Sequence, residues 1–247
     1  MKTVLSSSET TSSGCSVTHA QNPCANCDVR SRAVCGVLSD SELSKLARVN
    51  RRRELEAGDC IFFEGDEAEA YYVVVEGALK LYKLLSDGRR QVTGFLFKGD
   101  FVGLAFKDDH SFTAEALGHS RLCQMPRQKF ELFLNESMPL GRKLLQVATN
   151  GIVSAQEQML LLGRKTAQER LASFLIWMSV RAEERGEDYS RLAVPMSRTD
   201  MGDYLGLTVE TVSRTMTKLK MRGVIALPDR GVVEIINHDL LEEIAAG

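Results

Sequence analysis

The hydrophobic pattern of this chain changes period near residue 140, and this change is the strongest constraint on its fold. From about Leu55 to Phe130 the chain consists of short β-rich runs, such as YYVVVEG and ALKLYKLL, separated by recurring glycines. This rhythm is typical of an all-β roll or barrel, and the dipeptide Asp87-Gly88 predicts a tight hairpin turn within it. Beyond the change, apolar residues recur with the period of a helix. We therefore predict an α+β protein that begins with a β-roll.

The helical stretch carries an apolar seam with alternating spacings of three and four residues. Its members are Leu145, Ala148, Ile152, Ala155, Met159 and Leu162. A seam this narrow favours pairing with a second copy of the chain, because a helix that covers its own core usually shows a wider apolar face. The alternative is an amphipathic helix packed on its own domain. Gly163 predicts a hinge after the seam, and Thr166 with Glu169 predicts a capping box that opens the next helix.

The segment at 197–222, SRTDMGDYLGLTVETVSRTMTKLKMR, predicts two helices joined by a short turn. Ser197 with Asp200 marks the start of the first helix, Gly206 ends it and Thr208 caps the second. This arrangement describes a helix-turn-helix. The following run, GVIALPDRGVVEII, predicts two strands around a turn, which would complete a winged helix-turn-helix.

The second of these helices concentrates positive charge in a chain whose net charge is only −2. Nucleic-acid binding must therefore rest on a local basic face. Glu210, Ser213 and Arg214 share one face near the helix N-terminus, the end that normally reaches base edges. Arginine can donate two hydrogen bonds to guanine, and glutamate can accept one from the cytosine amino group. With Thr211 and Lys218 they form the predicted DNA-binding set; the alternative is a solvated helix with ordinary charges.

Three of the six cysteines lie close together in the stretch CANCDVRSRAVC at 24–35. This spacing admits a metal, a disulfide or neither. The N-terminus is rich in serine and threonine and lacks the apolar block of a signal peptide, so we expect a cytoplasmic protein with reduced thiols. Metal or redox chemistry is therefore favoured over a disulfide framework. We expect neither a membrane span, because no apolar run is long enough, nor an enzyme, because no nucleophile–base pair or phosphate-binding glycine loop stands out.

A β-roll, a long helix and a winged helix-turn-helix in this order resemble the CRP/FNR family of bacterial transcription regulators. The stretches YLGLTVETVSR and LLLGRKTAQERLASF are specific to this resemblance and closest to its FNR branch. The resemblance covers roughly residues 24–238. It implies a homodimer that binds palindromic double-stranded DNA and contacts RNA polymerase. In the FNR branch the half-site resembles TTGAT, and Val209, where the CRP branch carries an arginine, favours that half-site.

The resemblance also implies a cofactor. In the FNR branch, N-terminal cysteines and one cysteine of the roll hold a [4Fe-4S] cluster that oxygen destroys. The matching residues here are Cys24, Cys27, Cys35 and Cys123, with the N-terminal spacing of the FnrN and FnrL subgroup. Four thiolates suit such a cluster, but a zinc site or a thiol redox sensor would use the same residues. Cys15 is a weak substitute ligand, and Cys60 is expected to be a buried core thiol.

No cyclic nucleotide is expected, because the stretch FKDDHSFTAEALG has no arginine to neutralise the cyclic phosphate and carries three acids. Together the predictions divide the chain into four segments. These are a disordered tail at 1–23, a cysteine-rich segment and β-roll sensor domain at 24–137, a dimerisation helix at 138–162 and a winged helix-turn-helix DNA-binding domain at 163–247.

Overall fold

The computed structural model describes residue 24 and residues 26–104 and 108–247. The predicted tail at 1–23, with Cys15, lies outside the described residues. Two antiparallel sheets of four strands form the β-roll, in the orders β1-β8-β3-β6 and β2-β7-β4-β5. The strands are β1 Arg51–Leu55, β2 Cys60–Phe62, β3 Ala70–Glu76, β4 Ala78–Leu84, β5 Arg90–Phe97, β6 Phe101–Val102, β7 Thr113–Ala116 and β8 Ser120–Pro126. Both sheets contribute to one apolar core, which includes Val74, Leu79 and Leu122.

The predicted turn at Asp87-Gly88 connects β4 and β5, which pair antiparallel from Ala78 opposite Phe97. Gly88 has a φ of +83°, a conformation that glycine adopts without strain. The Asp87 carboxylate accepts a hydrogen bond from the backbone N–H of Arg89 at 3.0 Å, which closes the turn. The hairpin prediction is therefore confirmed.

The C-terminal part is helical with a small sheet. The helices of the described chain are α1 Asp40–Ala47, α2 Arg127–Glu136, α3 Met138–Arg164, α4 Ala167–Glu184, α5 Arg198–Leu205, α6 Val209–Met221 and α7 His238–Ala246. The strands β9 Arg191–Ala193, β10 Ile225–Ala226 and β11 Val232–Ile235 form a sheet in the order β10-β11-β9. The predicted capping box at Thr166 is present, and Ser197 forms a second one with Asp200 at the predicted start of α5. Because β10 and β11 form the expected wing, the predicted fold class is confirmed.

The long helix α3 presents most of its apolar seam to solvent. Leu145, Ile152 and Met159 are 68%, 61% and 65% exposed. Leu162, the last seam residue, is half-buried and packs against the core of the DNA-binding part. Val153 and Leu160 are also exposed, so the exposed apolar surface is wider than the predicted seam. Among the described residues, no helix combines the length and apolarity needed to cross a bilayer.

The break between α3 and α4 lies two residues beyond the predicted hinge. Gly163 is in the last turn of α3, whereas Lys165 has extended backbone (φ −88°, ψ 145°). The physical reason is the capping box of α4, which sets its start at Thr166 and leaves Lys165 as the connecting residue. The Arg170 guanidinium fixes this joint by donating to the carbonyls of Leu162 at 2.9 Å and Lys165 at 2.8 Å.

Candidate functional site

The cysteine segment folds against the outside of the β-roll. Its apolar side chains, Val29, Ala33 and Val34, are buried in a cluster that also contains Phe130 and Leu140. The backbone makes a close turn here, since Ala33 N–H donates to Val29 O at 2.9 Å and Gly36 N–H to Ala33 O at 3.0 Å. The turn requires glycine at position 36, because a Cβ there would lie 2.3 Å from a backbone oxygen. Local packing therefore holds Cys27 and Cys35 in place.

Cys123 reaches the same place from strand β8. It pairs with Val73 of β3 and with Arg52 of β1, so it lies in the middle of its sheet. Side chains alternate along a strand, and Leu122 points into the core of the roll. Cys123 therefore points to the opposite face, where it packs against the same apolar cluster as the cysteine segment.

The thiols of the predicted set influence one another. Burial, and then the neighbouring Cys27 and Cys24, raise the pKa of Cys35 to about 11. Burial, and then Cys24, Cys35 and Cys27, raise the pKa of Cys123 to about 12. Burial and then Cys27 likewise raise the pKa of Cys24. The four predicted cysteines therefore lie close enough in the fold to influence one another, although up to ninety-nine residues separate them in sequence.

No disulfide joins the cysteines of the described chain, and no group of three or more potential ligands in it stands at metal-coordinating separation. The donor set is nevertheless uniform, because other cysteines are the main neighbouring groups that raise the pKa of Cys24, Cys35 and Cys123. The described histidines lie elsewhere: His110 stacks on Phe62, His119 contacts Glu56 and His238 contacts Ser179. A site of sulfur alone fits an iron–sulfur cluster or a tetrahedral zinc ion.

Three polar residues around the thiols were not predicted from the sequence. The charge of Arg30 lowers the pKa of Cys24 and Cys35, and that of Arg52 lowers the pKa of Cys24 and Cys123, against the larger effect of burial. Asn50 Nδ2 lies 3.9 Å from the sulfur of Cys24, while its Oδ1 is buried without a hydrogen-bond partner. The two cations favour thiolates at this site. Two sequence signals pointed to these charges: Arg30 lies between Cys27 and Cys35, and a run of three arginines lies in β1, next to the strand of Cys123.

Cys60 lies in the other sheet of the roll. Its strand, β2, pairs with β7, and burial followed by the charge of Glu115 raises its pKa. Tyr82 hydrogen-bonds the Cys60 side chain, and the charges of Lys80 and Asp59 also act on it. None of the four predicted ligand cysteines is among the causes of this shift, so Cys60 stands apart from them.

The helix-turn-helix is closed by two glycines. Gly206 ends α5 in the left-handed conformation, with a φ of +63°. A Cβ on Gly202 would lie 2.6 Å from the carbonyl oxygen of Leu207, so α5 approaches the turn too closely for any side chain there. Thr208 then caps α6 by accepting a hydrogen bond from Thr211 N–H at 3.2 Å. These contacts fix the second helix relative to the first.

The predicted DNA-binding residues lie on the outer face of α6. Glu210, Ser213, Arg214 and Lys218 are exposed, whereas Thr211 is half-buried beside the cap. The opposite face is buried in the domain core and consists of Val212, Thr215, Met216 and Leu219. Hydrogen bonds from its own backbone and from Thr208, with the charge of Arg214 as a lesser cause, lower the pKa of Glu210. The face therefore presents an ionised acceptor beside two cations.

Comparison with known proteins shows which family has these two domains in this order. A model of the cyclic nucleotide-binding domain matches residues 52–137, and a model of the Crp-like helix-turn-helix domain matches residues 169–244. The nitrogen fixation regulation protein FixK of Bradyrhizobium diazoefficiens is 39% identical over 90% of this chain and 94% of its own. The chain belongs to the CRP/FNR family.

Two further members of the CRP/FNR family support this placement. The transcriptional activator protein FnrL of Cereibacter sphaeroides is 36% identical over 89% of this chain and 91% of its own. The solved structure of FixK2 from Bradyrhizobium japonicum superposes with a TM-score of 0.76 at 37% identity, covering 81% of this chain and 98% of that one. The CRP/FNR family consists of DNA-binding transcription regulators rather than enzymes, and the helix-turn-helix described above is its Crp-like domain.

Proposed function

We propose that this protein is an oxygen-responsive transcription regulator that acts in the cytoplasm. In this proposal it binds a TTGAT-type palindrome as a homodimer while Cys24, Cys27, Cys35 and Cys123 hold a [4Fe-4S] cluster, and it then contacts RNA polymerase. The observation that carries the proposal is that a folded N-terminal segment and strand β8 bring four thiols to one place. The name of the relative FnrL, a transcriptional activator protein, supports activation as the outcome.

Two features of the described residues support a cluster at the four cysteines. Its donors are sulfur atoms alone, and Arg30 and Arg52 supply positive charge where thiolates would add negative charge. When bound, a [4Fe-4S] cluster would supply a redox-sensitive crosslink through four thiolates. The orphaned Oδ1 of Asn50 shows that the polar groups here are not fully satisfied by the protein alone.

The cysteine segment is also placed to influence the long helix. The turn Val34–Val37, which contains Cys35, packs against α3. Val34 shares its apolar cluster with Leu140, in the first turn of α3, and with Phe130 of α2. Release of the segment would uncover these side chains. The position of α3, and with it the exposed face proposed for dimerisation, would therefore depend on whether the cysteines are held.

The roll is not suited to a cyclic phosphate, although its family model is named for cyclic nucleotides. Asp108 and Asp109 are exposed acids at the start of the described part of the corresponding stretch. His110 is buried against Phe62, with ring centroids 3.4 Å apart. Burial lowers the pKa of His110, so the imidazole is neutral near pH 7 and provides no cation. We therefore infer that this protein does not respond to a cyclic nucleotide.

The second candidate is a regulator on the same scaffold whose four cysteines bind structural zinc or act as a thiol redox sensor. It is favoured by the same sulfur-only donor set. Metal analysis and visible absorption of protein purified without oxygen separate the two. We expect a brown protein with a broad visible band and with iron and sulfide bound. A colourless protein with one equivalent of zinc would replace the proposed cofactor, and a colourless metal-free protein would leave the thiol sensor.

A further inference from the structure

The sensor roll contacts the helix-turn-helix through charged side chains that are buried between them. Lys80 of β4 is 6% exposed, and its Nζ lies 2.8 Å from Glu115 Oε1 and 3.0 Å from Asp200 Oδ1. Arg90 of β5 reaches the same helix, with Nη2 3.0 Å from Asp200 Oδ1 and Nε 2.8 Å from Asp203 Oδ2. Both aspartates belong to α5, the first helix of the helix-turn-helix. Two cations of the roll therefore hold two acids of the DNA-binding part.

Apolar contacts surround these ion pairs. Phe95 of β5 packs on Tyr204 of α5, with ring centroids 5.2 Å apart, and on Phe174 of α4 at 6.1 Å. Gln91 Nε2 donates to the backbone oxygen of Asp203 at 2.7 Å. Side chains of the roll and of the DNA-binding part belong to one continuous apolar cluster. The ion pairs are thus partly shielded from water, where charged hydrogen bonds are stronger and unpaired charges are costly.

Lys80 and Arg90 have all of their carboxylate partners only when α5 is docked on the roll. Without α5, Lys80 would keep only Glu115 as its ion-pair partner, and Arg90 would lose both of its partners. Asp200 divides its two carboxylate oxygens between two roles. Its Oδ2 closes the capping box of α5 by accepting from Ser197 N–H at 3.0 Å, and its Oδ1 receives the two cations. The start of α5 is therefore tied directly to the roll.

Whatever holds α5 also holds α6, the helix that carries the predicted DNA-binding residues and is called the reading helix below. The close approach at Gly202 fixes α5 against the turn that leads into α6. The roll leaves the outer face of α6 open, because Glu210, Ser213 and Arg214 remain exposed with the ion pairs in place. The contact therefore sets the direction of α6 without blocking access to DNA.

We propose that Lys80 and Arg90 are positioning residues for DNA recognition, which fix α5 to the sensor roll and so orient α6. In a dimer, both reading helices must meet their half-sites at one spacing, so a loosely held helix would weaken binding to the palindrome. Binding to a single half-site makes no such demand. This inference rests on the proposed function, because it needs a dimer and a two-part site.

The test compares Lys80→Met with Lys83→Met in the full chain. Lys83 lies on the same strand and pairs with Glu64 inside the roll, so its loss leaves α5 untouched. Anaerobic titration measures affinity for the TTGAT palindrome and for a duplex with one half-site. We expect Lys80→Met to bind the palindrome roughly fivefold more weakly or worse, with the half-site affinity unchanged, since couplings between sites typically have this size. Lys83→Met should match the wild type on both.

A second set of variants tests the ion pair between Arg90 of the roll and Asp203 of α5. Arg90→Met and Asp203→Asn should have less than additive effects on the palindrome, because each removes the same ion pair. Arg90→Lys, which keeps the charge, should recover most of the affinity. Additive effects would contradict the assigned pair.

Hydrogen exchange of the α5 amides, measured without DNA, tests whether Lys80 holds α5 against the roll. We expect faster exchange in Lys80→Met but not in Lys83→Met. Equal losses on both DNA probes, or α5 exchange like that of the wild type, would overturn the inference. Wild-type protein that shows no preference for the palindrome would instead overturn the proposed function, and the exchange measurement would still decide the contact.

Discussion

Four thiols carry the sensing proposal at the scale of single residues. Replacing Cys24, Cys27, Cys35 or Cys123 singly with serine should abolish iron binding, because a hydroxyl is a poor substitute for thiolate. Cys60→Ser is the matched control, since Cys60 lies in the other sheet and near Glu115 rather than near the four proposed ligands. Iron content of anaerobically purified variants measures this. Retention of iron by Cys123→Ser, with loss in Cys60→Ser, would show that the ligand set is wrong.

Arg214 and Lys218 should differ in what they recognise, although both are exposed on the same face of α6. Arg214→Ala should weaken binding to the cognate site by ~1–3 kcal/mol and relax the preference for guanine, because a two-bond contact to a base is lost. Lys218→Ala should weaken binding to all DNA sequences alike, and it should make the affinity depend less steeply on salt concentration, as expected for a phosphate contact. Titrations against cognate and random duplexes measure both. Equal losses for Arg214→Ala on the two duplexes would remove its base-reading role.

At the scale of elements, α3 presents an exposed apolar face that a second chain would cover. Ala155→Asp would place two carboxylates close together across a two-fold axis, where they repel and lose solvent. We expect the dimer dissociation constant to rise at least tenfold, a change of roughly 1.4 kcal/mol or more, with weaker palindrome binding. Ser154→Asp adds the same charge off the seam and should leave the dimer intact. Sedimentation of both variants decides this, and a stable Ala155→Asp dimer would rule out the seam.

Elements with local signals were predictable, and joints between elements were not. The turn at Asp87-Gly88 and the caps at Thr166, Ser197 and Thr208 follow from short-range hydrogen bonding, so the sequence alone located them. The hinge at Gly163 was misplaced because a glycine is tolerated in a helix, and the cap of the following helix determined the break. Leu162 fitted the period of the seam, but its packing depends on the neighbouring domain.

At the scale of the whole molecule, the chain links a cysteine site, a long helix and a reading helix through buried contacts. The order of these parts could be predicted, because each has its own composition and period. The ion pair between Lys80 and Asp200 could not, because 120 residues separate the partners and the sequence assigned Asp200 only to the start of its own helix. The same holds for Asn50 beside Cys24, which only the folded chain brings together. In the proposed function, contacts of this kind would carry a change at the cysteines to the DNA-binding helix.

The most direct test of this account is the affinity of one anaerobic preparation for a TTGAT palindrome before and after brief exposure to air. We predict tight binding before exposure, and a loss of affinity afterwards that proceeds together with the loss of the visible absorption band. Chelation of released iron should not restore binding, whereas rebuilding the cluster should. Affinity that is unchanged by air while the visible band disappears, or binding that never depends on iron, would contradict oxygen sensing through the four cysteines.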